Sequence, residues 1–437
     1  MPNNLERRDF LKVAGAGSLA AFGSPAPGAA MIPGETSSAI KDLEPMKITK
    51  VEAVRFRKGL TIDGEPPAWT WVRLHTDTGL MGVGETYPMT NSQIGTLRDL
   101  ISSYHGSPAG LLGSDPRDIE RTWWDIYNQT AFYVTGGAEM RVLSAINIAQ
   151  WDILGKALGV PVYRLLGGKT REKIRVYNTY THGWTINHWQ MDTDAVKVVS
   201  FLNDRGIKGI KFYPFDPISR RNGGTYISPA DIDSALKPIK QIRDKFADDF
   251  EIAIDVNAQW NLTSALRIAR ALEPYKIMWL EDVLDQGNME SYSILRNETS
   301  VPITISERLA TRFQFREALV RKAVGILMYD VTWCGGISEA MKISALADTW
   351  YIPTAPHTCG GPLLWFASTH VATAIKNLWI MESCYHFYNY QYPYFIKNVP
   401  VPENGFVKAP EGPGLGVDFR AEPFDRGDAI VETIAEI

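Results

Sequence analysis

Six acidic or imidazole side chains recur down the second half of the chain: Asp255, Glu281, Glu307, Asp330, His357 and Glu382, separated by 26, 26, 23, 27 and 25 residues. Each closes a short apolar run, such as EIAI before Asp255 or IMWL before Glu281. A step of about 25 residues holds one strand, one helix and two loops, the repeat of a (β/α)₈ barrel. Such a barrel gathers the C-terminal ends of its strands around one mouth. The six side chains are therefore expected to end strands three to eight and to meet in one pocket.

Alternation sets the expected facing, because residues two apart on a strand share a face. Ile252, Ile254 and Val256 should face the helices and send Asp255 and Asn257 inward. Met278 and Leu280 should face outward and Glu281 inward, and Thr304 and Ser306 outward with Glu307 inward. The first strand reads from Lys173, and the second ends at Lys211 and Tyr213 on one inward face. Residues 171–400 are thus read as the barrel. Residues 46–170, three strands followed by helices, read as an α+β domain. Residues 401–437, rich in Pro, Gly and aromatics, are expected to return to that first domain.

Three carboxylates on adjacent strands, Asp255, Glu281 and Glu307, repel one another unless a cation neutralises them. Oxygen-only ligation suits a hard dication, Mg²⁺ first and Mn²⁺ second; the competing arrangement is a salt-bridge ring with Lys and Arg, Arg308 being adjacent. Asp330 and His357 end the next two strands, where a carboxylate against an imidazole makes a general base. Lys211, expected across the pocket from His357, would stabilise a substrate carboxylate or oxyanion. Tyr213, near Lys211 and the metal, is expected to have a lowered pKa and serve as acid or base, or else to fill the barrel. Glu382 would donate to an oxyanion if protonated, bind a substrate hydroxyl, or pair with a loop. These parts describe abstraction of a proton next to a carboxylate, with the enediolate stabilised by the dication and nearby donors; the enolase superfamily is the handling of this chemistry by a Lys or His base with Mg²⁺.

The chain resembles that superfamily in its mandelate racemase/muconate lactonizing enzyme branch. The resemblance rests on the strand from Met46, the run Ile148 to Gly168, Asp255-x-Asn257, Trp279 to Asp282, Ser306-Glu307-Arg308, the Asp330/His357 pair and Ile380-Met381-Glu382. It implies a modified (β/α)₇β TIM barrel under an N-terminal α+β capping domain, one essential Mg²⁺, and a homo-oligomer. Cap loops, here Lys58 to Trp69 and part of Tyr104 to Gly137, would close the pocket and choose the substrate. Family members often carry Lys-x-Lys on the second strand; here Lys211-Phe212-Tyr213 stands in its place, which weakens a two-base racemase. The expectation is dehydration of a sugar acid to a 2-keto-3-deoxy acid, with His357 as base. Asn257, Gln259, His182 and His386 are candidates for sugar hydroxyls, and Trp69 for the pocket wall. The alternatives are a racemase, epimerase or cycloisomerase and, in another class, a noncatalytic exported sugar-acid binder.

A formal net charge of −4 without a long basic run argues against nucleic acid as partner. No apolar segment is long enough to span a bilayer. Three cysteines, Cys334, Cys359 and Cys384, are too few and too odd for a disulfide framework. They sit just past strand ends, as rim fillers or as one pocket-lining thiol. At the N-terminus, Arg7-Arg8 precedes the weakly apolar stretch Val13 to Phe22 and a small-residue region ending at Ala30. Residues 1–30 therefore look like a twin-arginine export signal to the periplasm, and 31–45 like a linker.

Overall fold

Short runs of β-branched and aliphatic residues, each punctuated by a helix of 3.6-residue periodicity, wind the chain into a parallel barrel. The computed structural model describes residues 45–88, 91–101, 110–129 and 136–437, so the expected export signal lies outside the described residues. Residues 45–437 form one compact unit. The barrel strands are β4 (Ile174–Thr179), β5 (Gly209–Phe212), β6 (Glu251–Asp255), β7 (Trp279–Glu281), β8 (Ile303–Ile305), β9 (Ile326–Leu327) and β10 (Met381–Ser383). They pair in parallel in chain order, and β10 closes back on β4. Between β9 and β10 the stretch 354–357 supplies the missing stave. Ala355 N donates to Leu327 O, His357 N to Tyr329 O, and Glu382 N to Pro356 O. Eight staves result, and Asp255 lies in register with Glu281.

Two apolar layers follow from alternation. Ile252, Ile254, Val256 and Leu280 join the layer between strands and helices. Tyr177, Ala253, Trp279, Met328, Ala355 and Ile380 meet one another across the barrel interior, with the Tyr177 and Trp279 rings edge-on at 5.1 Å. Two expected facings are corrected. Ile303 and Ile305 belong to the outer layer, so Thr304 and Ser306 point inward, Ser306 Oγ reaching Met328 Sδ at 2.8 Å. Because β8 ends at Ile305, Glu307 reaches the mouth from the turn that follows, outside the strand's alternation. Met278, one residue before β7, packs with the inner cluster. The helix Pro229–Phe246 opens as its sequence implies: Ser228 caps Asp231 N, and the Asp231 carboxylate accepts from Ser228 N.

The first domain is a four-stranded sheet over helices. Strands β1 (Ile48–Phe56), β2 (Thr70–Thr76) and β3 (Met81–Thr86) form a meander. The tail first pairs Phe406–Val407 (β11) with β4, then adds β12 (Ala429–Glu436) antiparallel to β1. The long helix Gly137–Leu158 lies directly on β3, and the alternating glycines of that strand explain the close approach. A Cβ at Gly84 would stand 1.9 Å from Ala145 O, and one at Gly82 2.1 Å from Ala149 O. The same helix meets the barrel through Asn147, which bonds Ser338, while Trp123 Nε1 donates to Gly335 O. No described helix is long and apolar enough to cross a membrane.

Candidate active site

At the C-terminal mouth of the barrel Lys211 is fully buried, its Nζ 2.5 Å from Glu281 Oε1, 3.0 Å from Glu382 Oε1 and 3.6 Å from Asp255 Oδ2. Burial alone would strip its proton, but Glu281 and Glu382 outweigh burial and hold the ammonium well above its ordinary pKa. Lys211 does not face His357 directly, because Glu382 stands between them. Glu382 Oε2 lies 3.6 Å from His357 Nε2 and accepts from Thr358 N at 2.7 Å and Cys359 N at 3.2 Å. Its Oε1 also accepts from Thr179 Oγ1. Against burial, which favours the neutral acid, Lys211, His357 and these donors hold Glu382 at about 2. It is ionised, so the expected role as a protonated donor to an oxyanion does not fit.

His357 donates or accepts through Nδ1 at 2.7 Å from Asp330 Oδ2, and Asp330 Oδ1 is itself held by Thr332 N and Oγ1. With Nδ1–H on the carboxylate, Nε2 faces the mouth, 3.7 Å from Glu307 Oε2. Burial pulls the imidazole toward neutrality, yet Glu382, Glu307 and Asp330 together raise it to about 10. Asp255 is pushed well above its usual range by burial and by Glu281, with Lys211 opposing. Burial also pushes Asp282 up to about 7, and Glu307 adds to the shift. Glu307 is held low by His357 and Lys211 in spite of burial. Asp255, Glu281, Asp282 and Glu307 thus crowd one wall with Lys211 and Arg308 as their cations. A hard dication fits that donor set, since it would offset the burial and the repulsion that together raise Asp255 and Asp282.

The remaining sequence candidates divide. Tyr213 is at the mouth, but burial drives its hydroxyl well above the ordinary value and outweighs Lys211, the reverse of the expected lowering. Asn257 Nδ2 donates to Asp216 Oδ2 at 2.7 Å. Asn257 and His182 border a rim cavity of about 590 Å³ together with Trp184, Tyr213, Asp216 and Arg220. Gln259 is tied to Ser219 and His386 is buried 3.4 Å from Asp63 Oδ2, in the cap loop. Trp69 is 1% exposed, packed on Phe56, Tyr392 and Phe395, so it belongs to the core and does not form an open pocket wall.

Several residues that shape the site were not assigned a role from the sequence. Asp282 accepts from Arg308 Nε and Ser306 N, both at 2.8 Å, and holds the turn that presents Glu307. Asn257, Ala258 and Asp282 adopt left-handed backbone just past their strand ends, a strained conformation typical of functional loops. From the cap, Glu85 accepts from Trp71 Nε1, Leu363 N and Leu364 N, pinning the start of the helix Pro362–Ala374 that follows the His357 loop. Arg141 stacks 3.5 Å over the Trp333 ring within the field of Asp330 and Glu307. The doublet Glu281-Asp282 and the pair Glu307-Arg308 were the available clues; the cap residues gave none.

Residues 194–423 match the family model of the enolase C-terminal domain-like fold, and residues 66–167 match that of the mandelate racemase/muconate lactonizing enzyme N-terminal domain. The chain belongs to the enolase superfamily. Among relatives of this enolase-superfamily chain, a D-galactonate dehydratase of Ralstonia nicotianae is 31% identical over 86% of this chain and 92% of its own length. A second, from Klebsiella pneumoniae, is also 31% identical with the same coverage. A solved enolase of the mandelate racemase subgroup from Agrobacterium tumefaciens superposes with a TM-score of 0.78 at 34% identity, covering 89% of this chain and 99% of that one. An enolase-superfamily member from Salmonella Typhimurium superposes at 0.80 with 26% identity, over 89% of this chain and all of that one. The fold is the superfamily's: an α/β barrel of modified TIM type, (β/α)₇β, with an N-terminal capping domain.

Proposed function

We propose that this protein is a Mg²⁺-dependent lyase that dehydrates a sugar acid to a 2-keto-3-deoxy acid through an enediolate. The observation that carries the reading is the buried Asp330–His357 pair at 2.7 Å, with Nε2 turned to the carboxylate-lined mouth. The D-galactonate dehydratases among its relatives support the substrate class. Asp255, Glu281 and Glu307 would hold Mg²⁺, which when bound supplies positive charge to a substrate carboxylate. Asp330 fixes the imidazole with Nδ1–H inward; once Glu307 is neutralised as a metal ligand, one of the charges that keep the ring protonated is gone and Nε2 is free to take the α-proton. The same imidazolium, once formed, is placed to hand a proton to the departing β-hydroxyl, so one group serves both half-steps of a syn elimination. Lys211 is tied to Glu382 and Glu281 and cannot approach a substrate without breaking those contacts. Tyr213, whose proton is held by burial, makes a poor second base, which favours elimination over racemisation. We further propose that Arg7 to Ala30 directs export, which amino-terminal sequencing of the secreted protein tests.

His357→Asn keeps a polar side chain that can still bond Asp330 and removes the base. With Mg²⁺ in D₂O and a panel of aldonic and aldaric acids that includes D-galactonate, the wild type should exchange an α-proton and release keto acid. The variant should lose at least about 10²-fold in rate while still unfolding in one cooperative transition. Undiminished exchange in the variant refutes the assignment.

A further inference from the structure

The side chains of His357, Cys359 and Glu382 offer one ligand atom each, all within 4.8 Å of one another and all buried. This is not the expected oxygen triad. Imidazole, thiol and carboxylate are the donor types of zinc, whereas a hard dication takes oxygens. Chain geometry explains the grouping. Cys359 follows His357 by two residues on one loop, and Glu382 on the adjacent stave accepts from Cys359 N through Oε2. Glu382 also separates two environments: its Oε1 meets Lys211 at 3.0 Å, beside the carboxylate cluster, while its Oε2 faces the imidazole at 3.6 Å. The outer partner of a zinc-bound histidine is present as well. Asp330 takes Nδ1 at 2.7 Å, fixing the ring with Nε2 toward the cluster, the carboxylate–histidine arrangement that orients such ligands.

We propose that His357, Cys359 and Glu382 form a second metal site that takes a soft transition-metal dication such as Zn²⁺, distinct from the oxygen cluster of Asp255, Glu281 and Glu307. Three protein ligands leave one tetrahedral position for water. Filling the site occupies the imidazole nitrogen that the dehydration requires, so the metal inhibits; that consequence rests on the proposed function, whereas the binding does not.

The probe is Co²⁺ added to the full chain, first stripped with chelator and then saturated with Mg²⁺. One equivalent should produce a thiolate-to-cobalt charge-transfer band in the near ultraviolet. Cys359→Ala should abolish the band and weaken Zn²⁺ binding by at least about tenfold, measured by calorimetry. Asp255→Asn should leave both unchanged. A wild type with no band, or a band that survives Cys359→Ala, overturns the proposal. Should Cys359→Ala fail to melt cooperatively, His357→Asn is read instead and must lose Zn²⁺ affinity by the same margin. Zn²⁺ should also inhibit α-proton exchange at a concentration unaffected by tenfold more Mg²⁺; competition by Mg²⁺ would place zinc in the oxygen cluster and refute the second site. An Mg²⁺-loaded protein that exchanges no acid at all sinks the proposed function, while the cobalt band still decides the metal site.

Discussion

Replacing Lys211 with Met keeps most of the length of the side chain and removes its charge from a buried set of three carboxylates, at 2.5, 3.0 and 3.6 Å. In water such contacts would matter little, but here Lys211, Glu281 and Glu382 are shielded from solvent. Removing one partner of a buried ion pair typically costs about 3–5 kcal/mol, because the other charge is left uncompensated. Unfolding entropy of roughly 2.1 cal/mol/K per residue over about 390 residues converts this into a fall of about 4–6 °C in Tm. The loss should shrink when Mg²⁺ is present, since a dication near Asp255 and Glu281 replaces the missing charge. The assay is a thermal melt of wild type and Lys211→Met in chelator and in saturating Mg²⁺. A variant that melts within 1 °C of wild type in chelator would show that Lys211 does not neutralise the cluster. A loss of equal size with and without Mg²⁺ would refute the placement of the cation beside these carboxylates.

His370, buried in the helix Pro362–Ala374, bonds Leu415 O through Nε2 at 3.1 Å and accepts from Tyr163 N at Nδ1. Burial lowers its pKa from 6.5 to about 4. The unfolded chain therefore takes up this proton first as the pH falls, so the contribution is full above pH 6.5 and is lost toward pH 4. At 1.36 kcal/mol per unit the loss reaches about 3 kcal/mol; denaturant melts at pH 5 and 7.5 should show a steeper fall for wild type than for His370→Gln, and equal slopes would contradict it. Gly361→Ala would set a Cβ 2.3 Å from Glu85 Oε2 and 2.5 Å from Trp69 Cγ. We expect a cost of about 1–3 kcal/mol and slower α-proton exchange as the His357 loop is displaced, and a variant with wild-type melting and exchange would argue that the Glu85 anchor is soft.

The spacing of strand ends made the barrel and its six mouth residues legible, because a parallel barrel repeats one structural unit and each unit ends in the same place. Alternation worked for β6, whose five residues run true to the outward and inward faces. It failed at β8, where three residues are too few to carry parity as far as Glu307. The polarity of Thr304 and Ser306 was the clue to that failure, since their hydroxyls belong beside Met328 in the interior. Charge state was less legible than position: whether Glu382 is ionised depends on Lys211, Thr179 and two backbone amides that come from three other stretches of chain. The part played by Glu85 of the cap was not legible. Glu85 reaches Leu363 across 278 residues, and no local pattern announces a contact of that range.

The pairing of β1 with β12 also governs the order in which this protein can be completed. Arg55 and Glu432 touch across 377 residues of sequence, so the first described strand to leave the ribosome waits for the last. Until then one flank of β1 carries unpaired amides and carbonyls, the kind of edge that recruits foreign strands. Every barrel unit is made during that wait. A chain stalled or trimmed before Ala429 would expose this edge to its neighbours, whereas β12 covers it when present.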